Sequence, residues 1–468
     1  MCGIFGIFDV PDAATVTAAG LHALQHRGQE AFGIGVFDGS SIQTARKIGL
    51  VSDSLSRRDF LDALPGRSAI GHVRYSTVGK KDGTDTERTR NAQPLFTTTM
   101  FGEIAIAHNG TLTNAQTLKH ELMERGYTFQ SDTDTEVALK LIGTAQGHNL
   151  LERMQNALPR LEGSFAFVLL TPKKLIGIRD RRGIRPLVFG KRNGAYLFAS
   201  ETCALDVVGA EYVREVNPGE IFIIDNEGLT SRRFVEDVQP RSCIFELAYF
   251  SRPDSLVFDR SVTEVRKNIG KILAQEHPVQ ADVVIPVPDS GVPAAQGYAE
   301  ASNMPFEPLG FVRSHYVGRT FIEPGQDERM EKIDMKLTVN RYLIVNKDVV
   351  LVDDSLVRGN TMRLLVTRMR RAGARSVHLR IAYPPWRFSC FGGIDTPTAE
   401  ELFAYDCKTD EDVTQKVCKE IGADSVGFIS LAGLYTACTE VYDKDNPAFC
   451  DACLTGNYPM RLVDQKNM

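Results

Sequence analysis

The first half of the chain shows a pattern of short apolar runs separated by turns. Runs such as residues 164–170 and 195–199 alternate with segments rich in Gly, Asn and Pro, which is typical of β-strands. Many short strands with a few helices fit two stacked sheets flanked by helices. We therefore expect an αββα sandwich in this half.

The pattern changes near residue 237, where strands begin to alternate with helices. Residues 262–275 are predicted to form a helix, 282–285 a strand and 293–301 another helix, and this alternation predicts a mainly parallel sheet. The chain is thus expected to be an α/β protein of two domains, spanning residues 2–236 and 237–468.

The stretch from Val349 to Thr361 combines a buried strand with a polar loop. Residues 349–352 form a β-branched, apolar run, followed by Asp353 and Asp354 and then by a loop rich in hydroxyl groups and backbone donors. A helix is predicted over 362–372. Two adjacent Asp residues alone would favour a solvated acidic turn, but the unpaired N–H groups of this loop suit a phosphate.

This stretch closely resembles the phosphoribosyl-pyrophosphate (PRPP) signature of the phosphoribosyltransferases, which implies a type I phosphoribosyltransferase domain. The resemblance implies PRPP binding by Asp353, Asp354, Ser355, Arg358, Gly359, Asn360 and Thr361. Carboxylates can hold Mg²⁺ through water. We expect Asp353 and Asp354 to do so, with Ser290, from a second strand–loop–helix unit, close to the metal.

Composition and charge narrow the class of protein. The chain has 468 residues, 43% of them hydrophobic, and a net charge of −5, which argues against a dominant nucleic-acid or anionic-membrane surface. No uncharged apolar run approaches the roughly 20 residues that span a bilayer. The N-terminus lacks the pattern of a signal peptide, so the expected compartment is the cytosol.

Cys2 is a candidate nucleophile because it lies next to the initiator Met. A small second residue permits removal of Met1, and Cys2 would then carry both a thiol and an α-amine. Since an α-amine has a pKa of about 8, a fraction is neutral at pH 7 and can accept the thiol proton. For a cysteine near a terminus considered alone, simple burial in a first strand is the better interpretation.

Four later stretches change that interpretation. Together with Cys2-Gly3-Ile4, they resemble the class II glutamine amidotransferases, which are N-terminal-nucleophile hydrolases. The stretches are His26–Glu30, Gly71–Thr77, Ala107–Gly110 and Ser131–Glu136.

The resemblance gives these residues roles that suit the chemistry of glutamine. Asn109 and the N–H of Gly110 can form an oxyanion hole. Arg74 offers a bidentate clamp for the α-carboxylate, and Asp134 can pair with the α-ammonium. Arg27 would shape the glutamine-binding loop around the nucleophile.

Residues 316–322 resemble the flexible loop of the amidophosphoribosyltransferases, and Arg319 is expected to contact phosphate as the loop closes. That family opens purine synthesis, and its reaction combines PRPP, glutamine and water into 5-phosphoribosylamine, glutamate and pyrophosphate. The resemblance further implies that ammonia travels inside the closed protein, that purine nucleotides are feedback inhibitors, and that the protein is a homo-oligomer, either tetramer or dimer.

The chain has nine cysteines, and four of them resemble the ligands of the iron–sulfur branch of this family. These are Cys243, Cys390, Cys450 and Cys453. Four thiolates can hold either a 4Fe–4S cluster or zinc, and the resemblance favours the cluster.

Two alternatives follow from the motifs. The first alternative is another class II glutamine amidotransferase, which the first half of the chain also resembles. The synthase halves of those proteins lack the stretch 349–361. A PRPP-binding regulatory protein with an inactive glutaminase domain is the other alternative, but Cys2, Arg74 and Asn109 are all present.

Overall fold

The first half of the chain folds into two antiparallel sheets. This computed structural model describes residues 1–55, 58–75, 84–313, 337–396 and 398–465. The strands are β1 (Gly3–Ile7), β2 (Ala31–Phe37), β3 (Ile42–Ile48), β4 (Ser68–Arg74), β5 (Leu95–Thr99), β6 (Gly102–Leu112), β7 (Gly163–Leu170), β8 (Lys174–Arg179), β9 (Val188–Arg192), β10 (Ala195–Ala199), β11 (Glu211–Glu215), β12 (Glu220–Asp225) and β13 (Gly228–Arg233). One sheet has the order β11-β9-β10-β1-β4-β2-β3, and the other has the order β13-β12-β8-β7-β6-β5.

Helices cover the outer faces of both sheets. They are α1 (Ala13–Ala23), α2 (Ser52–Leu55), α3 (Arg58–Asp62), α4 (Asp85–Arg90), α5 (Ala115–Glu124), α6 (Asp134–Thr144), α7 (Leu150–Ala157) and α8 (Thr202–Val207). Side chains along β1 point alternately to the helical layer and to the second sheet. Phe5 packs outward beside Gly20 of α1, whereas Ile4 and Gly6 face the second sheet, where Val168 contacts the position of Gly6. The predicted αββα sandwich is confirmed.

The second half is built around a four-stranded parallel sheet. Its strands are β17 (Val283–Pro286), β20 (Asp348–Asp353), β21 (Ser376–Ile381) and β22 (Ser425–Phe428), in that spatial order. Short pairs add β14 (Ser242–Cys243) with β23 (Phe449–Cys450), β15 (Leu256–Val257) with β16 (Arg260–Ser261), and β18 (Phe311–Arg313) with β19 (Leu337–Val339). The predicted parallel sheet is confirmed, and every residue of its central run, Val349 to Val352, is buried.

Two helical layers enclose this sheet, each with its own buried apolar cluster. The helices are α9 (Val262–Glu276), α10 (Val292–Ser302), α11 (Arg341–Ile344), α12 (Asn360–Arg371), α13 (Asp410–Ile421), α14 (Leu431–Ala437) and α15 (Ala452–Thr455). Within the described ranges, no helix combines the length and the apolar character needed to cross a membrane.

Helices α9 and α10 approach each other through glycines. A Cβ atom at Gly270 would lie 1.9 Å from the carbonyl oxygen of Ala294, and one at Gly297 would lie 1.9 Å from that of Lys267. Both contacts are with backbone atoms, so the helices themselves would have to separate. Only glycine fits at this crossing.

We expect Gly270→Ala to lower the free energy of unfolding by about 3 kcal/mol, because the methyl group forces the two helices apart. Urea denaturation measures the change. Gly143→Ala in α6 is the matched control, since its new Cβ would meet only Thr99 Cγ2, at 3.2 Å, and we expect a change within about 1 kcal/mol of zero. Equal stability of the Gly270 variant and the native protein would contradict the packing described here.

The C-terminal segment returns to the first half. Asp464 accepts hydrogen bonds from the backbone N–H of Gln116 (2.7 Å) and Thr117 (3.2 Å) in the first turn of α5, and its own N–H donates to Thr113 O at 2.9 Å. The carboxylate therefore satisfies helix N–H groups that lack an intrahelical partner. The boundary between residues 236 and 237 remains a prediction.

Candidate functional site

Cys2 lies where the central strand β1 begins, beside the ends of two other elements. Its backbone N–H donates to Asn109 Oδ1 at 3.2 Å, and its Sγ lies 3.5 Å from the carbonyl oxygen of Tyr75. Arg27 Nε donates to the carbonyl oxygen of Cys2 at 3.0 Å. The Met1 side chain is buried, and burial lowers the pKa of the Met1 amine to about 5.

Asn109 and Gly110 lie near the C-terminal end of β6, next to Cys2. Asn109 is fully buried, and its Nδ2 has no hydrogen-bond partner among the described residues. Because Asn109 Oδ1 faces the Cys2 nitrogen, Nδ2 remains as an unused donor at the nucleophile. Gly110 has φ = +142°, and a Cβ there would lie 2.2 Å from Ser164 O. Glycine is therefore required at this position.

Arg74 and Asp134 are buried near the same strand. Arg74 ends β4, and its Nη1 donates to the carbonyl oxygen of Asn91 at 2.5 Å. Asp134 opens α6, and its Oδ2 accepts from the N–H of Leu112 at 2.9 Å. Burial alone would raise the pKa of Asp134, but His108 and the Leu112 N–H outweigh it and lower the pKa. Asp132, a second carboxylate two residues earlier in the same stretch, is exposed.

A buried polar network lies behind these side chains, and sequence reasoning missed most of it. Gln93 accepts from the N–H of His108 at 2.8 Å and donates to Thr135 Oγ1 at 2.9 Å. His108 Nδ1 lies 3.1 Å from the same hydroxyl, and His72 Nε2 lies 3.1 Å from His108 O. Three of these residues lie one or two positions from Arg74, Asn109 and Asp134. Thr135 belongs to the stretch Ser131–Glu136, whereas Gln93 lies outside the four stretches that resemble the class II glutamine amidotransferases.

Arg27 connects the two halves of the chain. It is fully buried and forms ion pairs with Glu201 of the first half and Glu246 of the second. Glu246 receives two hydrogen bonds from Arg27, of 2.7 and 3.0 Å. The sequence predicted that Arg27 shapes the loop at the nucleophile, but neither partner carboxylate lies in a recognisable motif.

The acidic pair lies at the carboxyl end of β20, facing the loop before α10. Ser290 donates to Asp354 Oδ2, and Ser355 donates to Asp354 Oδ1 at 2.6 Å. Burial and the charge of Asp354 raise the pKa of Asp353 well above its usual range. A cation placed here would relieve that repulsion, because it favours both ionised carboxylates.

The loop after the acidic pair leads directly into a helix. Gly359 has φ = +77°, and α12 begins at Asn360 rather than at the predicted residue 362. Asn360 and Thr361 are exposed, and Arg358 forms an ion pair with Glu401 at 3.0 Å. The helix N-terminus and the loop thus lie beside the acidic pair. Arg319 lies outside the described residues.

One short segment connects the surroundings of the two sites. Residues Glu246–Phe250 form a single π-helical turn. The pKa of Tyr249 on this turn is raised, first by partial loss of solvent and then by the nearby Asp354, Asp353 and Tyr75, although the side chain is still partly exposed. Arg266, which donates to Leu247 O at 3.0 Å, also lies within electrostatic range of Asp354. The nucleophile and the acidic pair therefore belong to neighbouring surfaces.

The four predicted cluster ligands come from segments that meet in the fold. Cys243 and Cys450 are paired across β14 and β23. Burial raises the pKa of Cys453 well above its usual range, and the neighbouring Cys390, Cys243 and Cys450 add to the rise. All are free thiols.

Their arrangement does not form a ready metal site. In the described part of the chain, no group of three or more His, Cys, Asp or Glu side chains is arranged to hold a metal ion. Two of the four sulfurs have hydrogen-bond partners in the protein: Cys453 Sγ lies 3.3 Å from the Tyr383 hydroxyl, and Cys390 Sγ accepts from the N–H of Gly392 at 3.3 Å. The geometry gives no support to a preformed cluster site.

Comparison with known proteins agrees with this organisation. A family model described as a glutamine amidotransferase domain matches residues 83–207, and one described as a phosphoribosyl transferase domain matches residues 257–386. The amidophosphoribosyltransferase of Rhizobium etli is 47% identical to this chain over 99% of its length and 92% of the relative. That of Bacillus subtilis is 46% identical over 98% of this chain and 94% of the relative.

Solved structures match over the same extent. The glutamine PRPP amidotransferase of Bacillus subtilis, complexed with ADP and GMP, is 45% identical with a TM-score of 0.89, covering 99% of this chain and 98% of that one. A structure described as the allosteric regulatory enzyme of purine biosynthesis is 45% identical with a TM-score of 0.90, covering 99% and 97%. On this evidence, the chain belongs to the amidophosphoribosyltransferase family.

Proposed function

We propose that this protein catalyses the first committed step of de novo purine synthesis. PRPP, glutamine and water are converted into 5-phosphoribosylamine, glutamate and pyrophosphate. The observation that carries the two-site proposal is the turn Glu246–Phe250: Glu246 binds Arg27 beside Cys2, while Tyr249 on the same turn lies within electrostatic range of Asp354. A reaction that passes ammonia between two sites gains from such proximity.

At the first site, removal of Met1 gives Cys2 an α-amine. The amine accepts the thiol proton, and Sγ attacks the side-chain amide carbon of glutamine. The unused donor Asn109 Nδ2 and the N–H of Gly110 stabilise the oxyanion that forms on the amide oxygen. Ammonia leaves with the proton, and water then hydrolyses the thioester to release glutamate.

Two buried charges select glutamine at this site. Arg74 binds the α-carboxylate of the substrate, and Asp134, whose lowered pKa keeps it ionised at neutral pH, binds the α-ammonium. Arg27 positions the backbone of the nucleophile, since its Nε contacts the Cys2 carbonyl. The network through Gln93 and His108 holds these side chains from behind.

At the second site, the loop 355–361 binds the phosphates of PRPP through its backbone N–H groups and the N-terminus of α12. The residues proposed for PRPP binding are Asp353, Asp354, Ser355, Arg358, Gly359, Asn360, Thr361 and Arg319. Mg²⁺ would be held by Asp353 and Asp354, with Ser290 beside them, and would neutralise charge on the departing pyrophosphate. Ammonia attacks C1 of the ribose as pyrophosphate leaves.

The experiment that tests this function follows both half-reactions in one mixture. With glutamine, PRPP and Mg²⁺ present, glutamate and pyrophosphate should accumulate in equal amounts, because each ammonia released is used once. Chromatography of both products gives the ratio. Glutamate release with PRPP left intact would contradict the proposal and would favour another class II amidotransferase.

We further propose that Cys243, Cys390, Cys450 and Cys453 hold a 4Fe–4S cluster in the loaded protein. What supports this is the donor set: four free thiols on segments that meet, where neighbouring thiols add to the raised pKa of Cys450 and of Cys453. Bound iron favours the thiolates and removes that cost. The cluster would cross-link the segments around residues 243, 390 and 450–453.

Protein purified without oxygen should contain about four iron and about four sulfide per chain, measured by iron and sulfide analysis. Cys418→Ser serves as the control, because this partly exposed cysteine belongs to none of the converging segments, and its iron content should be unchanged. One zinc per chain, or no metal, would contradict the cluster.

Other features of the family are extended to this chain as proposals. Purine nucleotides are proposed as feedback inhibitors, and a homo-oligomer, tetramer or dimer, as the functional assembly in the cytosol. The Bacillus subtilis relative was solved with ADP and GMP bound, which supports the proposed regulation. The domains are proposed to span residues 2–236 and 237–468.

A further inference from the structure

The carboxylate of Glu246, in the second half of the chain, is connected to the nucleophile Cys2 by two hydrogen-bonding steps through Arg27. Its two oxygens accept from Arg27 Nη2 at 2.7 Å and Nη1 at 3.0 Å, and Arg27 Nε donates to the carbonyl oxygen of Cys2 at 3.0 Å. Glu246 and Arg27 are both fully buried. Water therefore cannot replace either partner of this bidentate pair.

The position of Glu246 is itself fixed on several sides. Ser251 Oγ donates to Glu246 Oε2 at 2.8 Å, and Ser251 N–H donates to Glu246 O at 3.0 Å. Arg185 Nη1 lies 3.3 Å from Glu246 Oε1. A carboxylate held by this many donors sets the direction of the Arg27 guanidinium rather than following it.

From these contacts, we propose that Glu246 is a positioning residue for glutamine hydrolysis: it holds Arg27 so that Arg27 fixes the carbonyl group of Cys2. The nucleophile of the first half is thus completed by a residue of the second half. This inference rests on the proposed function of Cys2. It assigns Glu246 no contact with glutamine or PRPP.

The charge of Glu246 should also affect the protonation of the N-terminal amine, which a purely structural residue would leave unchanged. After removal of Met1 the N-terminal amine belongs to Cys2, whose carbonyl oxygen accepts from Arg27 Nε, and Glu246 and Glu201 both pair with Arg27. The Arg27 guanidinium disfavours an ammonium ion on the residue that it contacts, and Glu246 offsets its charge. Loss of the Glu246 charge therefore lowers the pKa of the amine.

The test uses Glu246→Gln in the full-length protein, with PRPP and either glutamine or ammonium chloride as the nitrogen source. We expect kcat with glutamine to fall about 100-fold through misplacement of Cys2, with KM for glutamine and ammonia-dependent synthesis changed by no more than about twofold. The acid limb of the glutamine pH profile should move to lower pH, because the amine loses its proton more readily.

Glu220→Gln is the matched control. Glu220 is also buried, accepts two hydrogen bonds from one arginine (Arg214, 2.7 and 2.9 Å) and one from a serine hydroxyl (Ser231, 2.6 Å), but it lies on β12, away from Cys2. It should lose stability without a change in the glutamine pH profile. An unchanged kcat and pH profile in Glu246→Gln would overturn the inference.

If Glu246→Gln also loses ammonia-dependent synthesis, the whole protein is damaged and a milder variant is needed. Ser251→Ala removes one donor to Glu246 and should lower kcat with glutamine about fivefold, with ammonia-dependent synthesis retained. Full glutamine kcat in this variant would overturn the inference. Glutamine use by Cys2→Ala would instead refute the proposed function itself, so the two failures are distinguishable.

Discussion

Cys2→Ala should lose glutamine-dependent synthesis by at least about 1,000-fold while ammonia-dependent synthesis continues. The thiol is the atom that attacks the amide in our account, and no other described cysteine lies beside Asn109 Oδ1 and Arg27. Ammonia supplied from solution bypasses this step, because it reacts directly at the PRPP site. Pyrophosphate release with each nitrogen source measures the two activities separately.

Cys203→Ala is the control for this experiment. Cys203 is a buried thiol of the same half, and burial raises its pKa to about 12, which leaves it a poor nucleophile. Its loss should affect stability rather than glutamine use. If Cys2→Ala retained glutamine-dependent synthesis, the assignment of the nucleophile would be wrong.

Asp354→Asn should lower synthesis from both glutamine and ammonia by about 100-fold or more, since it removes a charge that we propose holds Mg²⁺ beside PRPP. The carboxylate also organises its surroundings, because it accepts hydrogen bonds from Ser290 and Ser355. Asparagine keeps the shape but not the charge. Initial rates with each nitrogen source, over a range of Mg²⁺ concentrations, measure the effect.

The matched control is Asp282→Asn, directly before β17 at the opposite end of the parallel sheet. Asp282 accepts from the N–H of Asp348 at 2.8 Å and pairs with the exposed Arg375 at 3.0 Å. Surface ion pairs contribute little, so both activities should be nearly unchanged. A selective loss of glutamine use in Asp354→Asn, with full ammonia-dependent synthesis, would argue against a PRPP site here.

The sequence predicted the fold well where hydrophobic patterns were long and specific. Residues 349–352 form the centre of a buried parallel strand, as their apolar run predicts, and α9 begins at Val262, as expected. Helix ends were less accurate: α9 ends at Glu276 rather than residue 275, and α12 begins at Asn360 rather than residue 362. Local pattern does not encode the contacts that set these ends.

The residues of the candidate site were likewise predicted where they lie in local motifs and missed where long-range packing brings them in. Cys2, Arg74, Asn109 and Asp134 were predicted because their motifs are local, and the structure groups them around β6. Glu246, which pairs with Arg27 across 219 positions, was not predicted. Such a pairing depends on how the halves pack, and a single Glu in a sequence carries no signal of its partner.

The central claim is that ammonia made at Cys2 reaches the ribose without leaving the protein. The most direct measurement supplies glutamine with a nitrogen-15 amide together with excess unlabelled ammonium, and determines the isotope in 5-phosphoribosylamine by mass spectrometry. Our account predicts a product that carries almost entirely the amide nitrogen. A product whose label is diluted in proportion to the free ammonium would contradict it.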